Sequence, residues 1–292
     1  MKILITGANG QLGNEMRVIA QSNAQHEFVF TDVQELNICD KDAVSAFFKE
    51  GHFDFVVNCA AYTAVTNAEK DFDKSLALNR DAVRNIGEAA AENNTKVIHI
   101  STDYVFDGTA HTPYKEDAAV NPQSVYGKTK YEGEAALAQA CSDYVIIRTA
   151  WLYSSFGNNF VKTMIKLGKT RDKLTVIFDQ IGSPTYAADL AKAIMAVINS
   201  EEFVTGTYHF SNEGVCSWYD FAKAIHRLYG LHNCDVQPLE TNQYPDDTPR
   251  PAYSVLNKTK IKNTYKVNIP HWFESLEKCI RILKEEENQS IN

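Results

Sequence analysis

Lys2 to Thr6 (KILIT) is a short β-branched run that meets glycine at once, and Gln11 to Ala20 then reads as a helix. The same beat continues. Glu27 to Thr31 is β-prone, Lys41 to Lys49 helical, Phe53 to Asn58 a buried strand and Asp81 to Glu92 an alanine-rich helix. Lys96 to Ile100 is the next strand, Tyr126 to Ala140 the next helix, and Tyr144 to Arg148 the strand after that. Parallel strands need crossover connections, and helical crossovers bury both faces of the sheet. The rhythm therefore predicts an α/β chain whose residues 1–150 form a doubly wound, Rossmann-like parallel sheet.

Beyond Trp151 the beat loosens. Helices are expected near Phe160 to Leu167 and Ala187 to Asn199, with strands at Leu174 to Phe178 and Thr207 to Phe210. Ser217 caps an amphipathic helix reaching Tyr229, and Trp272 to Lys284 is another. Residues 151–292 thus read as a second, smaller α/β domain, with part of 179–205 returning to the first and a cleft between the two. Glu285 to Asn292 has no apolar periodicity and carries three consecutive glutamates, so a frayed acidic end is expected.

A formal net charge of −8 gives no electrostatic footprint for a nucleic-acid polymer. No apolar run approaches the roughly 20 residues that a bilayer span needs, and no secretory signal is legible, so no membrane partner and a cytoplasmic location are expected. The six cysteines and eight histidines are scattered, without metal-ligand or redox spacing. No metal site is read from them.

Chemistry concentrates at the ends of the early strands. Gly7-Ala-Asn-Gly10-Gln-Leu-Gly13 follows the first strand and opens the first helix, where backbone N–H groups and the helix dipole can hold a pyrophosphate. Ordinary turns also use glycine, but Asp32 lies 19 residues past Gly13, at the end of the second strand. A carboxylate there accepts both hydroxyls of an adenosine ribose and repels a 2′-phosphate, although a plain loop aspartate looks the same in sequence. A nicotinamide dinucleotide is the expected cofactor, with NADH bound at least as well as NADPH.

Tyr126 and Lys130 are four apart on one helical face. A phenol with a pKa of about 10 needs a neighbouring cation to act as acid and base near neutrality. On most helices such a pair is only a solvated one; its position between the fourth and fifth strands points to catalysis. Ser101-Thr102-Asp103 ends the fourth strand at the sheet edge where open α/β folds bind ligands. Thr102 can reach a substrate carbonyl from there, while Ser101 or Asp103 could equally cap a turn.

The glycine turn, Asn58-Cys-Ala-Ala61, the hydroxyl-bearing end of strand four and Y-x-x-x-K together resemble the extended short-chain dehydrogenase/reductase superfamily. Within it, Ser101-Thr-Asp-Tyr-Val-Phe-Asp-Gly108, Asn121 to Lys130, Arg148-Thr-Ala-Trp151, Gly157-Asn-Asn-Phe160 and Asp179 to Thr185 resemble the dTDP-4-dehydrorhamnose reductase family across nearly the whole chain. That resemblance implies reduction of the 4-keto group of dTDP-4-dehydro-L-rhamnose by NADH or NADPH, the last step of dTDP-rhamnose synthesis, and makes the second domain the nucleotide-sugar domain. It implies catalysis by Tyr126, Lys130 and Thr102. It also implies cofactor contacts by Gly7, Gly10, Gln11, Leu12, Gly13, Asp32, Asn37, Ile38, Ala61, Thr63, Tyr126 and Lys130. Thr102, Asp103, Trp151 and Arg250 would touch the sugar nucleotide, with a core tryptophan and an exposed loop arginine as the alternatives at the last two. Tyr62, between Ala61 and Thr63, fits a packing role as well. Asn37 stands where the family often has aspartate. Some relatives use Mg²⁺ at a contact between two copies; Glu15 is the one residue here that would join it, no full ligand set is identifiable, and no metal is assigned. A homodimer is the assembly implied.

Two other readings stay open. A 4-epimerase or 4,6-dehydratase of the same superfamily shares these motifs, although dehydratases generally carry an acidic residue after the Thr-Asp pair, where this chain has Tyr104. A non-catalytic regulatory relative would keep the fold and tend to lose the acid/base pair.

Overall fold

A computed structural model describes residues 1–291. The first part runs β1 (Lys2–Thr6), α1 (Gln11–Ala20), β2 (Glu27–Thr31), α2 (Lys41–Gly51), β3 (Phe55–Asn58), short α3 (Val65–Ala68) and α4 (Phe72–Leu76), a π-helical turn (Ala77–Asp81), α5 (Ala82–Glu92), β4 (Lys96–Thr102), α6 (Val125–Ala140) and β5 (Tyr144–Thr149). The second runs β6 (Leu152–Tyr153), α7 (Phe160–Thr170), β7 (Lys173–Ile177), β8 (Ile181–Gly182), β9 (Thr185–Tyr186), α8 (Ala187–Ile198), β10 (Gly206–His209), β11 (Cys216–Ser217), α9 (Trp218–Tyr229), β12 (Asp235–Leu239), α10 (Thr259–Tyr265) and α11 (Trp272–Ile291).

Six strands form one sheet in the order β10-β5-β4-β3-β1-β2, every pair parallel. The α/β, doubly wound architecture expected from the sequence is the one observed. Side chains alternate between its two faces with the strand period of two. Ile3, Ile5, Val57, Ile98, Val145 and Ile147 pack beneath α1 and α8, while Leu4, Val56, Val97 and Ile146 pack beneath α2, α5 and α6. Residues from α8, β10 and α10 therefore belong to the first core. A separate cluster, including Tyr153, Val161, Val176, Phe221, Ile225, Trp272 and Leu276, holds α7, β7, α9, β12 and α11 together.

The frayed acidic end is corrected. α11 continues through Glu285, Glu286 and Glu287 to Ile291, and Glu287 accepts from both Lys169 and Tyr229. The acidic run supplies a partner for α7 and α9, which apolar periodicity does not reveal; Asn292 lies outside the described residues. No described helix is long and apolar enough to cross a membrane.

One buried ion pair ties α6 to β5. Arg148 and Glu134, each about 5% exposed at the side chain, meet at 2.7 Å, and Ser101 at the end of β4 donates to the same carboxylate at 2.5 Å. Removing one partner strands the other charge in the interior. Arg148→Met is expected to destabilise the fold by about 3–5 kcal/mol, read by urea denaturation.

Candidate active site

The carboxyl ends of β1, β3, β4 and β5 open into a cleft of about 890 Å³. Every cofactor, substrate and catalytic position expected above lines it, from Gly7, Gly10 and Asp32 at one end to Trp151 and Arg250 at the other.

Its floor begins at the glycine turn. Gly7 has φ +64°, and a Cβ there would stand 2.6 Å from the Ala60 nitrogen; at Gly13 a Cβ would sit 2.4 Å from the Gly7 carbonyl oxygen. Both close approaches need glycine. Gly10 is the N-cap of α1 and offers no side chain, so the first-turn N–H groups have no side-chain cap, and Gln11, Leu12 and Gly13 line the cleft. That is a cradle for a phosphate. Asp32 flanks it, accepting from the Asn9 and Val33 backbone N–H groups at 3.0 and 2.8 Å. Asn37 and Ile38 form the far wall with Cys39. Tyr62 turns its hydroxyl onto Asp71 at 2.9 Å and lies outside the cleft lining between Ala61 and Thr63.

Ser124 caps α6 by accepting from the Gly127 N–H at 3.1 Å, which fixes the helix start one residue before Tyr126. Tyr126 is half-buried, and its enclosure pushes the phenol above its ordinary pKa while the Thr102 hydroxyl pulls it down. Lys130 is about 1% exposed and donates to the Ile100 carbonyl at 2.6 Å; burial lowers its amine to about 8. Thr102 caps the turn after β4, accepting from the Tyr104 N–H at 3.2 Å and donating to Asp103 Oδ1 at 3.0 Å. Burial lifts the Asp103 carboxyl to about 7, and its Oδ2 is enclosed without a hydrogen-bond partner.

Trp151 is half-buried, lining the cleft while packing against two apolar clusters. Its φ of +50° places a bulky side chain in the left-handed region, and its ring stacks on Trp218 with centroids 3.6 Å apart. Arg250 is half-buried, donating to Asp246 at 2.9 Å and lying beside Tyr104. The pattern of the sequence did not point to Trp218, which occupies the first turn of an amphipathic helix, and it gave Asn159 only as part of the Gly157 to Phe160 stretch, without a role. Asn159 caps α7 and donates to Gln11 Oε1 at 3.0 Å, joining the second part to the glycine turn. Glu15 is buried on α1 and accepts from Ser154 at 2.6 Å. No cluster of three or more His, Cys, Asp or Glu suited to a metal ion occurs among the described residues.

A family model described as the RmlD substrate binding domain matches residues 1–285. The chain belongs to this family. The spore coat polysaccharide biosynthesis protein SpsK of Bacillus subtilis is 41% identical over 283 residues, 96% of this chain and 97% of that protein. The dTDP-4-dehydrorhamnose reductase of Aggregatibacter actinomycetemcomitans is 39% identical, covering 94% and 97%. Among solved structures, a dTDP-4-dehydrorhamnose reductase from Clostridium acetobutylicum superposes with a TM-score of 0.93 at 46% identity, covering 97% and 100%. That of Bacillus anthracis, solved in complex with NADP, gives 0.92 at 38%, covering 96% and 99%. A UDP-glucuronic acid 4-epimerase from Bacillus cereus shares the fold, with a TM-score of 0.84 at 21% identity.

Within this RmlD-family fold the buried amine carries a stability cost. Lys130 titrates at about 8 when folded and near 10.5 when unfolded. Below pH 8 the folded state bears the full cost of burying an ammonium, and between pH 8 and 10.5 the unfolded state binds more protons, so stability rises with pH. Lys130→Met is expected to be more stable than the parent at pH 7, by about 2–3 kcal/mol in chemical denaturation, and the advantage should shrink steadily from pH 8 to 10.5.

Proposed function

We propose that this chain reduces the 4-keto group of dTDP-4-dehydro-L-rhamnose to dTDP-L-rhamnose with NADH or NADPH, the last step of dTDP-rhamnose synthesis. The observation that carries this reading is the convergence of Thr102, Tyr126 and Lys130 at one end of a cleft whose other end is an uncapped glycine turn. The relatives named as dTDP-4-dehydrorhamnose reductases support the substrate.

The residues fit a dinucleotide: Gly10, Gln11 and Leu12 hold the pyrophosphate, Asp32 the adenosine ribose, Asn37 and Ile38 the adenine, and Ala61 and Thr63 the stretch leading to the nicotinamide. A bound reduced nicotinamide supplies the hydride. Thr102 orients the substrate carbonyl, Tyr126 delivers its hydroxyl proton to the 4-oxygen as negative charge develops, and Lys130 holds the nicotinamide ribose and lowers the cost of the phenolate left behind. The Trp151–Trp218 stack offers an apolar platform on the substrate side, Asp103 a buried carboxyl for a sugar hydroxyl, and Arg250 a charge for the diphosphate. The six cysteines are all free, in keeping with a cytoplasmic enzyme.

Tyr126→Phe is expected to retain cofactor and substrate binding while turnover, followed by absorbance of the reduced cofactor, falls about 10²- to 10⁴-fold. Retention of half the parent turnover would remove Tyr126 from the role of acid. In the same assay one reduced cofactor should be consumed per sugar; a 4-epimerase returns its hydride and consumes none.

Because Asp32 flanks the ribose site and exposed Val33 follows it, NADH should serve at least as well as NADPH. A preference for NADPH of about a hundredfold in kcat/KM, roughly 2.7 kcal/mol, would contradict the placement of Asp32.

A further inference from the structure

Behind Lys130 lies a line of fully buried polar side chains that the reaction does not call on directly: Thr6 on β1, Asn58 on β3 and His99 on β4. Their donors and acceptors can be assigned one by one. The Ala60 backbone N–H donates to Asn58 Oδ1 at 3.2 Å, and Thr6 Oγ1 donates to the same oxygen at 2.7 Å. A backbone N–H only donates, so the amide orientation is fixed. Asn58 Nδ2, which also only donates, then faces His99 Nδ1 at 3.0 Å, and that nitrogen must accept. His99 has no exposed surface, and both burial and the neighbouring Lys130 charge push its pKa well below 6.5. The ring is neutral, and its single proton is on Nε2.

Nε2 stands 3.4 Å from Lys130 Nζ. An ammonium there confronts an N–H donor, whereas a neutral amine accepts from it. The Glu134 charge one turn later raises the amine, but less than burial lowers it, and that carboxylate is engaged by Arg148 and Ser101. The Ile100 carbonyl takes one N–H at 2.6 Å, Tyr126 one turn earlier is a phenol, and Cys59, just past β3, is held as a thiol by burial.

We propose that Asn58 locks His99 in its Nε2–H tautomer and that His99, as a positioning residue, uses that N–H to bias Lys130 toward the neutral amine, setting the pH at which the enzyme loses its ammonium. This rests on the part given to Lys130 above only for its effect on turnover; the tautomer and the amine titration are properties of the protein by itself.

The test combines ¹⁵N NMR of histidine-labelled protein with pH profiles of turnover. In the parent, His99 should show the Nε2–H pattern without charging between pH 6 and 9, and kcat should fall on a basic limb near pH 8, where Lys130 titrates. Asn58→Asp keeps the shape, accepts from Ala60 and Thr6 as before, and turns from donor to acceptor toward His99. The imidazole should switch to Nδ1–H, freeing Nε2 to accept from the ammonium. Both the Lys130 Nζ titration, followed by lysine ¹⁵N NMR, and the basic limb should move up by about one pH unit or more. A parent His99 protonated on Nδ1, or a switched tautomer that leaves the Lys130 titration where it was, overturns the proposal. A shifted NMR titration with an unmoved limb would leave the proposal standing and count against Lys130 as the group behind the limb. Should Asn58→Asp not fold, the parent tautomer decides alone.

Discussion

A parallel sheet buried on both faces has no solvent to satisfy polar side chains, so any that enter it must be paired within the protein. Here a polar row crosses four adjacent strands near their carboxyl ends: Thr6 on β1, Asn58 on β3, His99 and Ser101 on β4, and Arg148 on β5. From above, α6 contributes Lys130 and Glu134, which end in this row through His99, Ile100, Ser101 and Arg148. The helix bearing Tyr126 is thereby pinned at two points one turn apart. Tyr126 and Lys130 stand in a set place over the strand ends without depending on a mobile loop.

The same edge explains where the second part of the chain attaches. Asn159 grips Gln11, Ser154 donates to Glu15, and Asp246 accepts from Thr66 at 2.9 Å, so three polar contacts bridge the glycine turn and the cleft rim to the later elements. Each bridging side chain also serves a local purpose. Asn159 caps α7, and Asp246 accepts from Thr248 and Arg250. A shift of the second part relative to the sheet would therefore break caps as well as contacts, which keeps the Trp151–Trp218 stack at a constant distance from Tyr126.

The sheet was legible because its signals are local: β-branched runs of five residues, glycines at strand ends, and helical periodicity between them. Gly7, Gly13, Tyr126 and Lys130 were legible for the same reason, since each sits at a fixed offset from a strand or on a single helix face. His99 was not, although it lies within the KVIHI strand read directly from the sequence. A histidine inside an apolar strand has no local signature that distinguishes a satisfied core residue from the partner of a lysine 31 positions on. Trp218 was hidden differently. Its helix was legible from the Ser217 cap and the amphipathic pattern reaching Tyr229, but which neighbour meets the first turn of that helix depends on how β11 pairs with β8. The acidic end of α11 escaped because its charges are paired across elements, with Lys169 and Tyr229, instead of along one helix.

Tyr104 bears on the direction of the chemistry. Its ring meets Tyr126 edge to face with centroids 5.4 Å apart, and burial together with the Asp103 charge pushes its phenol to about 12. At neutral pH it is therefore a neutral donor at a place where an eliminating enzyme would need a base ready to take a proton from carbon. Arg250 beside it lowers that value, but not enough to yield a phenolate near pH 7. With a neutral phenol where an eliminating enzyme needs its base, this side of the cleft suits the reduction of a ketone better than the loss of water.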